Sequence, residues 1–352
     1  MFKIGIDLGY GYTKGINQEG RTIIFPSIIG AAHDRMTELF GQDTGTLEAL
    51  HVQIKDKNND SEHFVGDLAR KESLSSSFTL ERNKISNDNT KVLLSTSLAM
   101  LVPSQTVSLH VVTGLPFEHY LDQRKTFEEA YKGYQSEVYF HGGPLKDSRR
   151  QIRIDRLTIF PQAAGAAYSL LQTAEGKMRY PELFVRGSII AVVDVGFKTT
   201  DYVVFEMTPS LSLRRDLSGT INIGISSLYR PLQILFNKRT GGQIDMNEVE
   251  ILLQTGTIFF AGQERDFRED IKRIKEAVAK EIRNKVLASW GSKADLIRMV
   301  FLVGGGSREL GEDLKTIHPL AKISDDPQMA NARGFLSVAK MTELAEKKTG
   351  SA

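Results

Sequence analysis

The chain has 352 residues, enough for two domains of ordinary size, and its 41% hydrophobic and 25% charged content is that of a soluble globular protein. A net charge of +2 supplies no general electrostatic drive onto DNA or an anionic membrane, so neither is expected as a direct partner. The absence of cysteine excludes disulfides, thiolate catalysis and Cys-ligated zinc. No apolar run approaches a membrane span, and the N-terminus enters a strand without the basic and apolar segments of a signal peptide, which makes the cytoplasm the expected compartment.

In chain order, apolar runs bounded by Gly and Pro predict strands over Phe2–Leu8, Tyr12–Asn17 and Arg21–Pro26. Residues 31–89 are more polar. They hold Gly41 to Gly45, the charged run Lys55 to Asp60 and the Ser-rich Leu74 to Phe78, and read as a peripheral lobe with mobile loops. A helix over Lys91–Leu101, a strand over Val107–Thr113, a helix over Phe117–Lys132 and a strand over Gln151–Phe160 follow. Pro161 then opens a helix through Leu171, a position that proline tolerates well.

The second half repeats the order, with strands expected over Ser188–Val195, Asp201–Met207 and Leu211–Asp216 and a helix over Gly224–Asn237. Residues 238–262 form a compact excursion within a second lobe of about 224–275. Phe267, Ile271, Ile274, Val278, Ile282 and Val286 recur every three or four residues and make one buried stripe of a helix over Glu264–Leu287. A strand over Ile297–Val303 leads into Gly304-Gly305-Gly306-Ser307. The last expected helix is Asn331–Met341, and 346–352 read as a disordered tail. Strands alternating with crossover helices give an α/β chain, with domains at 1–175 and 176–345.

One short pattern occurs twice. Residues Ile4 to Lys14 read IGIDLGYGYTK and residues Ala191 to Asp201 read AVVDVGFKTTD, so that Asp7 matches Asp194, Gly9 matches Gly196, Tyr10 matches Phe197 and Thr13 matches Thr200. Each copy is a buried strand, a carboxylate at its end, and a Gly turn. A buried carboxylate is costly unless paired or beside a metal. Gly lets backbone N–H groups approach phosphate oxygens, and Asp suits Mg²⁺, which keeps several waters. Lys14, seven residues after Asp7, returns along the second strand towards a phosphate. Two ordinary hairpins are the alternative, but the pairing of the copies favours two half-domains facing one polyphosphate. In α/β sheets ligands lie beyond the carboxyl ends of strands, where Asp7, Asp194 and Gly304 to Gly306 all fall.

With these residues in place, the chain resembles the actin, Hsp70 and sugar-kinase ATPase superfamily along nearly all its length. Asp7 to Lys14 resembles the first phosphate motif, Asp194 to Asp201 the second, and Val303 to Ser307 the adenosine motif; Pro161 to Gly165 and Asn331 to Phe335 are similar to the two connecting helices. The DLGYGYTK form, Phe25-Pro26-Ser27 and PQAAGA resemble bacterial actin-like proteins of the ParM type. The resemblance implies two duplicated, ribonuclease-H-like domains around a nucleotide cleft and an ATPase that polymerises into filaments for plasmid segregation; a small-metabolite or sugar kinase is the alternative.

It further implies that ATP, or GTP, and Mg²⁺ are bound. Gly9, Tyr10, Gly11, Tyr12 and Lys14 would form one phosphate clamp and Gly196, Phe197, Lys198, Thr199 and Thr200 the other. Gly304, Gly305, Gly306 and Ser307 would take the nucleoside. Asp7 and Asp194 would hold the metal through its waters, and Gln162, where ParM-like chains commonly carry glutamate, would orient the hydrolytic water. Phe197 and Lys198 replace the usual Gly and Thr, so Lys198 meets phosphate or solvent. Glu248 and Glu250 are candidate ribose contacts, with a solvated helix face the favoured alternative. The implied partners are further copies of the chain and a DNA-binding adaptor that links the filament to a plasmid.

Overall fold

The computed structural model describes residues 1–33, 45–73, 77–78, 88–104, 107–173, 177–208 and 210–349. Most of the Gly41 to Gly45 and Leu74 to Phe78 stretches, and the end of the expected tail at 350–352, lie outside the described residues. Two compact units emerge, Met1–Tyr180 with Met329–Ala352, and Pro181–Gln328. The C-terminal segment therefore returns to the first unit, where the sequence pattern had placed residues up to 345 in the second domain. The reason is packing. Ala332 and Leu336 join Ile16 and Met329 in a small core, and the helix Ala330–Thr349 lies on the first strand, Phe2–Leu8. That helix continues to Thr349, so 346–349 are helical and not part of a disordered tail.

The first unit is built on a sheet ordered Thr22–Pro26, Tyr12–Asn17, Phe2–Leu8, Leu109–Leu115, Arg149–Pro161, Gln135–Phe140, His51–Asp56, Asp60–Val65, Ile28–Ala31 and Ser77–Phe78. Phe2–Leu8 pairs antiparallel with Tyr12–Asn17 and parallel with Leu109–Leu115. The second unit repeats this arrangement. Leu211–Leu213, Thr200–Met207, Ile189–Val195, Ile297–Val303 and Ala321–Ile323 run in that order, with Ile189–Val195 antiparallel to Thr200–Met207 and parallel to Ile297–Val303. Both parallel strand pairs are buried along most of their length, as continuous apolar runs require when a sheet is covered on both faces. The duplication legible in the two motifs thus extends to strand order and direction.

Several elements of the peripheral regions follow no expectation. His51–Asp56, Asp60–Val65 and Gln135–Phe140 extend the first sheet. In the second unit Gln263–Asp266 is a strand, paired with Thr257–Phe260, and the long helix begins at Arg268 instead of Glu264. Its stripe is as expected, with Ile271, Val278, Ile282 and Val286 buried. Glu248 closes a capping box, its backbone N–H donating to Asp245 Oδ1 at 2.8 Å while Asp245 N–H donates to its carboxylate at 2.8 Å.

His110 sits mid-sheet, buried, with Lys3 and Arg156 as its cross-strand neighbours. Burial, assisted by Arg156, pushes its imidazole down to about 4. The group is neutral when folded but titrates near its ordinary value when unfolded. Its contribution to stability is therefore constant above about pH 6.5, falls as pH drops from about 6.5 to about 4, and is level below that, by up to about 3 kcal/mol in all. Chemical denaturation of His110→Gln across that window should show a loss smaller by about that amount than the parent chain.

Candidate functional site

In the first unit, the antiparallel register sets Asp7 opposite Lys14. Both are buried, and Lys14 Nζ lies 3.0 Å from Asp7 Oδ2. The other carboxylate oxygen, Oδ1, accepts a hydrogen bond of 3.0 Å from Gln162 Nε2. Gln162 is the first residue of the helix Gln162–Leu171, at the end of the strand Arg149–Pro161. One carboxylate is thus tied to an ammonium group and to an amide from two separate elements. The amide assignment follows from this network, since a carboxylate only accepts.

The turn between the paired strands is narrow. A Cβ on Gly9 would stand 2.6 Å from the Tyr12 carbonyl oxygen and 3.1 Å from Lys14 Nζ, so no other residue fits without opening the hairpin. Ser27, outside the hairpin, braces it. Its hydroxyl donates to the Gly9 carbonyl at 2.7 Å and accepts from Thr13 Oγ1 at 2.9 Å, and its N–H donates to the Gly11 carbonyl at 2.8 Å.

Gln162 is held from behind by close helix packing. The helices Gln162–Leu171 and Ala330–Thr349 cross where Gly165 and Gly334 meet, and a Cβ on Gly334 would fall on the Gly165 carbonyl. The fully buried Phe335 ring fills the space over Gly165 and Gly114.

The second unit builds an analogous corner with different electrostatics. Asp194 is opposite Asp201, so the position of Lys14 in the first copy is a second buried carboxylate here. Thr220 Oγ1 donates to Asp201 Oδ1. The turn closes through a 2.8 Å bond from Gly196 N–H to the Thr199 carbonyl. Phe197 stacks edge-on against Tyr229 with ring centroids 5.6 Å apart, and Lys198 is half-buried. Gly224 presses on this turn, its absent Cβ falling 2.7 Å from the Gly196 and Phe197 carbonyl oxygens.

Gly304, Gly305 and Gly306 follow the strand Ile297–Val303 and lie beside the same corner. Gly304 has φ +86°, and a Cβ there would overlap Asp194 Oδ1 and the Val195 carbonyl. Gly306 N–H donates to the Val195 carbonyl at 2.8 Å, and Ser307 Oγ to the Val303 carbonyl at 2.5 Å at the start of the helix Ser307–Leu314.

With this geometry established, comparison with known proteins gives one answer from several directions. Residues 5–165 match the N-terminal domain family of actin-like proteins, and residues 192–316 match the C-terminal family of archaeal MreB-like actin homologues. The chain is 33% identical to a ParM from Clostridium botulinum, solved as a 15-stranded filament, over 97% of this chain and 99% of that one, with a TM-score of 0.86. It belongs to the actin-like ATPase family, and within it to the ParM type.

An archaeal actin homolog of Thermoplasma acidophilum is 27% identical over 97% of this chain and 99% of its own length. A crystal structure of an archaeal actin homolog in complex with ADP, at 22% identity, covering 97% of this chain and 100% of that one with a TM-score of 0.76, shares the fold.

Within this actin-like frame, the first unit brings Asp7, Gly9 to Tyr12, Lys14 and Gln162 together. The second gathers Asp194, Gly196 to Thr200 and Gly304 to Ser307. Sequence reasoning missed Ser27 as a brace, although Phe25-Pro26-Ser27 had drawn attention for its resemblance. It also missed Gly114, Gly224 and Thr220, which carry no local motif. Ser27→Ala removes the donor to Gly9 and strands the buried Thr13 hydroxyl. It should destabilise the first unit by about 1–3 kcal/mol in chemical denaturation; Ser27→Thr, which keeps a hydroxyl, should cost less.

Proposed function

We propose that this chain is an ATPase that assembles into nucleotide-dependent filaments and segregates plasmid DNA through a DNA-binding adaptor. The observation that carries the reading is the repeated corner: a buried carboxylate at a strand end with a glycine turn beside it, once in each unit, in a chain 33% identical to a filament-forming ParM. The turns at Gly9 to Tyr12 and Gly196 to Thr200 act as phosphate loops, donating backbone N–H groups to phosphate oxygens. Gly304 to Ser307 take the nucleoside, with Gly305, whose nearest side-chain atom would stand 3.7 Å from an added Cβ, giving it close approach to the backbone.

The donor set fits Mg²⁺. Asp7 and Asp194 offer hard oxygens, and Asp201 opposite Asp194 adds negative charge that a cation offsets. Mg²⁺ takes few protein ligands and completes its shell with water and phosphate. When bound, Mg²⁺ would neutralise charge on the phosphoryl oxygens.

The protein's own part in turnover follows from the Asp7 network. Gln162 donates its amide N–H to Asp7, which fixes the orientation of the side chain and leaves Oε1 as an acceptor. That oxygen accepts a hydrogen bond from the attacking water and aims its lone pair. It is too weak a base to take the proton outright. Lys14 pairs with Asp7 at 3.0 Å and places positive charge near the terminal phosphate.

Gln162→Ala should still bind ATP but release phosphate about ten to a thousand times more slowly, the scale for losing one positioned group. Normal hydrolysis would make Gln162 structural, and lost binding would remove the water-orienting role. Assembly is tested separately. ATP with Mg²⁺ should raise light scattering above a critical concentration and send protein to the pellet, with decay as ATP is consumed and prolongation by a non-hydrolysable analogue. A chain that stays monomeric with ATP across ordinary salts would overturn the filament reading.

A further inference from the structure

A single residue, Ser27, separates the strands Thr22–Pro26 and Ile28–Ala31 in the chain, yet these stand first and ninth in the order of the first unit's described strands. In a flat sheet, eight steps of about 4.8 Å would hold them about 38 Å apart. One intervening residue spans no more than about 7 Å. The sheet therefore turns back on itself. The long strand Arg149–Pro161 allows this. Its first residues, Arg149 to Arg153, pair with Gln135–Phe140, and from Ile154 onward it pairs with Leu109–Leu115, with a register shift between Ile154 and Arg156. Ser27 is the point at which the first strand of the sheet joins its far side.

Fully buried, Ser27 is fastened in both directions. Towards the phosphate turn it holds two carbonyls, that of Gly9 through its hydroxyl at 2.7 Å and that of Gly11 through its N–H at 2.8 Å. A trans peptide points its C=O and the following N–H in opposite directions. The two planes held from behind are therefore those that carry the Tyr10 and Tyr12 N–H groups. Thr13 Oγ1, 2.9 Å from Ser27 Oγ, keeps the Ser27 hydroxyl turned to Gly9. Towards the peripheral strands, the Ile28 carbonyl accepts from Gly66 N–H at 2.8 Å, and Ile29 to Ala31 pair with His63 to Val65. Gly66 in turn caps the helix Asp67–Glu72.

We propose that Ser27 is a positioning residue that couples phosphate occupancy of the Gly9 to Tyr12 turn to the peripheral strands Ile28–Ala31 and Asp60–Val65. This coupling rests on the nucleotide reading of the turn. A phosphate that draws the N–H groups forward tilts their peptide planes, and the carbonyls behind them take Ser27 along. Ile28 follows directly, and the antiparallel ladder passes the shift to Asp60–Val65. Coupling of this kind is reciprocal, so ordering the peripheral strands tightens nucleotide binding by the same factor.

Hydrogen exchange on the full chain provides the test, with and without a saturating non-hydrolysable ATP analogue and Mg²⁺, at concentrations where no protein pellets. Saturation is read separately by titration calorimetry. In the parent chain the analogue should slow exchange in Ile28–Ala31 and Asp60–Val65 by about fivefold or more, the lower end of ordinary coupling. Ser27→Ala should still be saturable, but that slowing should fall below about twofold, and affinity should drop by about the lost factor. Ser27→Thr should restore both. A merely structural loss would speed exchange equally with and without the analogue and leave the ratio at its parental value. Should Ser27→Ala fail to fold, Thr13→Val, which releases the Ser27 hydroxyl from its partner, should lower the same ratio. An unchanged ratio in the variant that folds, or a parent chain that binds the analogue with no peripheral slowing, would overturn the coupling and leave the nucleotide reading standing. A parent chain that does not bind the analogue would overturn both.

Discussion

The burial of Asp7 is the constraint on which the first unit's functional corner depends. A carboxylate with almost no solvent contact is tolerable only when its oxygens are satisfied, and deleting one partner of such a buried pair typically costs about 3–5 kcal/mol. The chain meets this demand from two directions. Lys14 arrives by strand register across a four-residue turn, and Gln162 arrives at the head of a helix that follows a different strand. The same side chain that a phosphate chemistry would use is thereby the point where three elements are fastened together.

Much of the rest is a matter of clearance. Gly5 lets the helix Ala330–Thr349 rest on the first strand, Gly165 and Gly334 let two helices touch, and Gly304 leaves room for the Asp194 carboxylate. Among these only Gly304 requires a positive φ. The others are small because backbone or a ring occupies the place of a side chain. Close approach at Gly165, within the first turn of the same helix, helps fix the angle at which Gln162 enters.

The central parts of this architecture were legible because they are locally encoded. Apolar runs ending in Asp and Gly marked Phe2–Leu8 and Ile189–Val195, and a 3.6-residue period marked the stripe on Arg268–Trp290. The peripheral strands were not legible. His51–Asp56 and Asp60–Val65 carry His and Asp among a few buried apolar residues, and their strand character comes from pairing: His51–Asp56 with Gln135–Phe140, and Asp60–Val65 with His51–Asp56 and Ile28–Ala31. The hairpin strand Gln263–Asp266 carries only polar residues and reads as the first turn of the helix it precedes. Ser27 falls in a stretch noted only for its resemblance, which says nothing of bracing. Its importance arises from two carbonyls and a hydroxyl that only the folded chain assembles.

The exchange of Lys14 for Asp201 between otherwise matching hairpins sets a limit on how this chain can change. The two internal copies are alike in strand order but cannot be exchanged, because their charges differ. Copying the second hairpin into the first would set a carboxylate against Asp7 with no ammonium to hold it, while the reverse copy would bring a lysine against Asp194 and remove the negative pair from that corner. The two hairpins share strand order and direction but not charge, so neither can stand in for the other at its own corner.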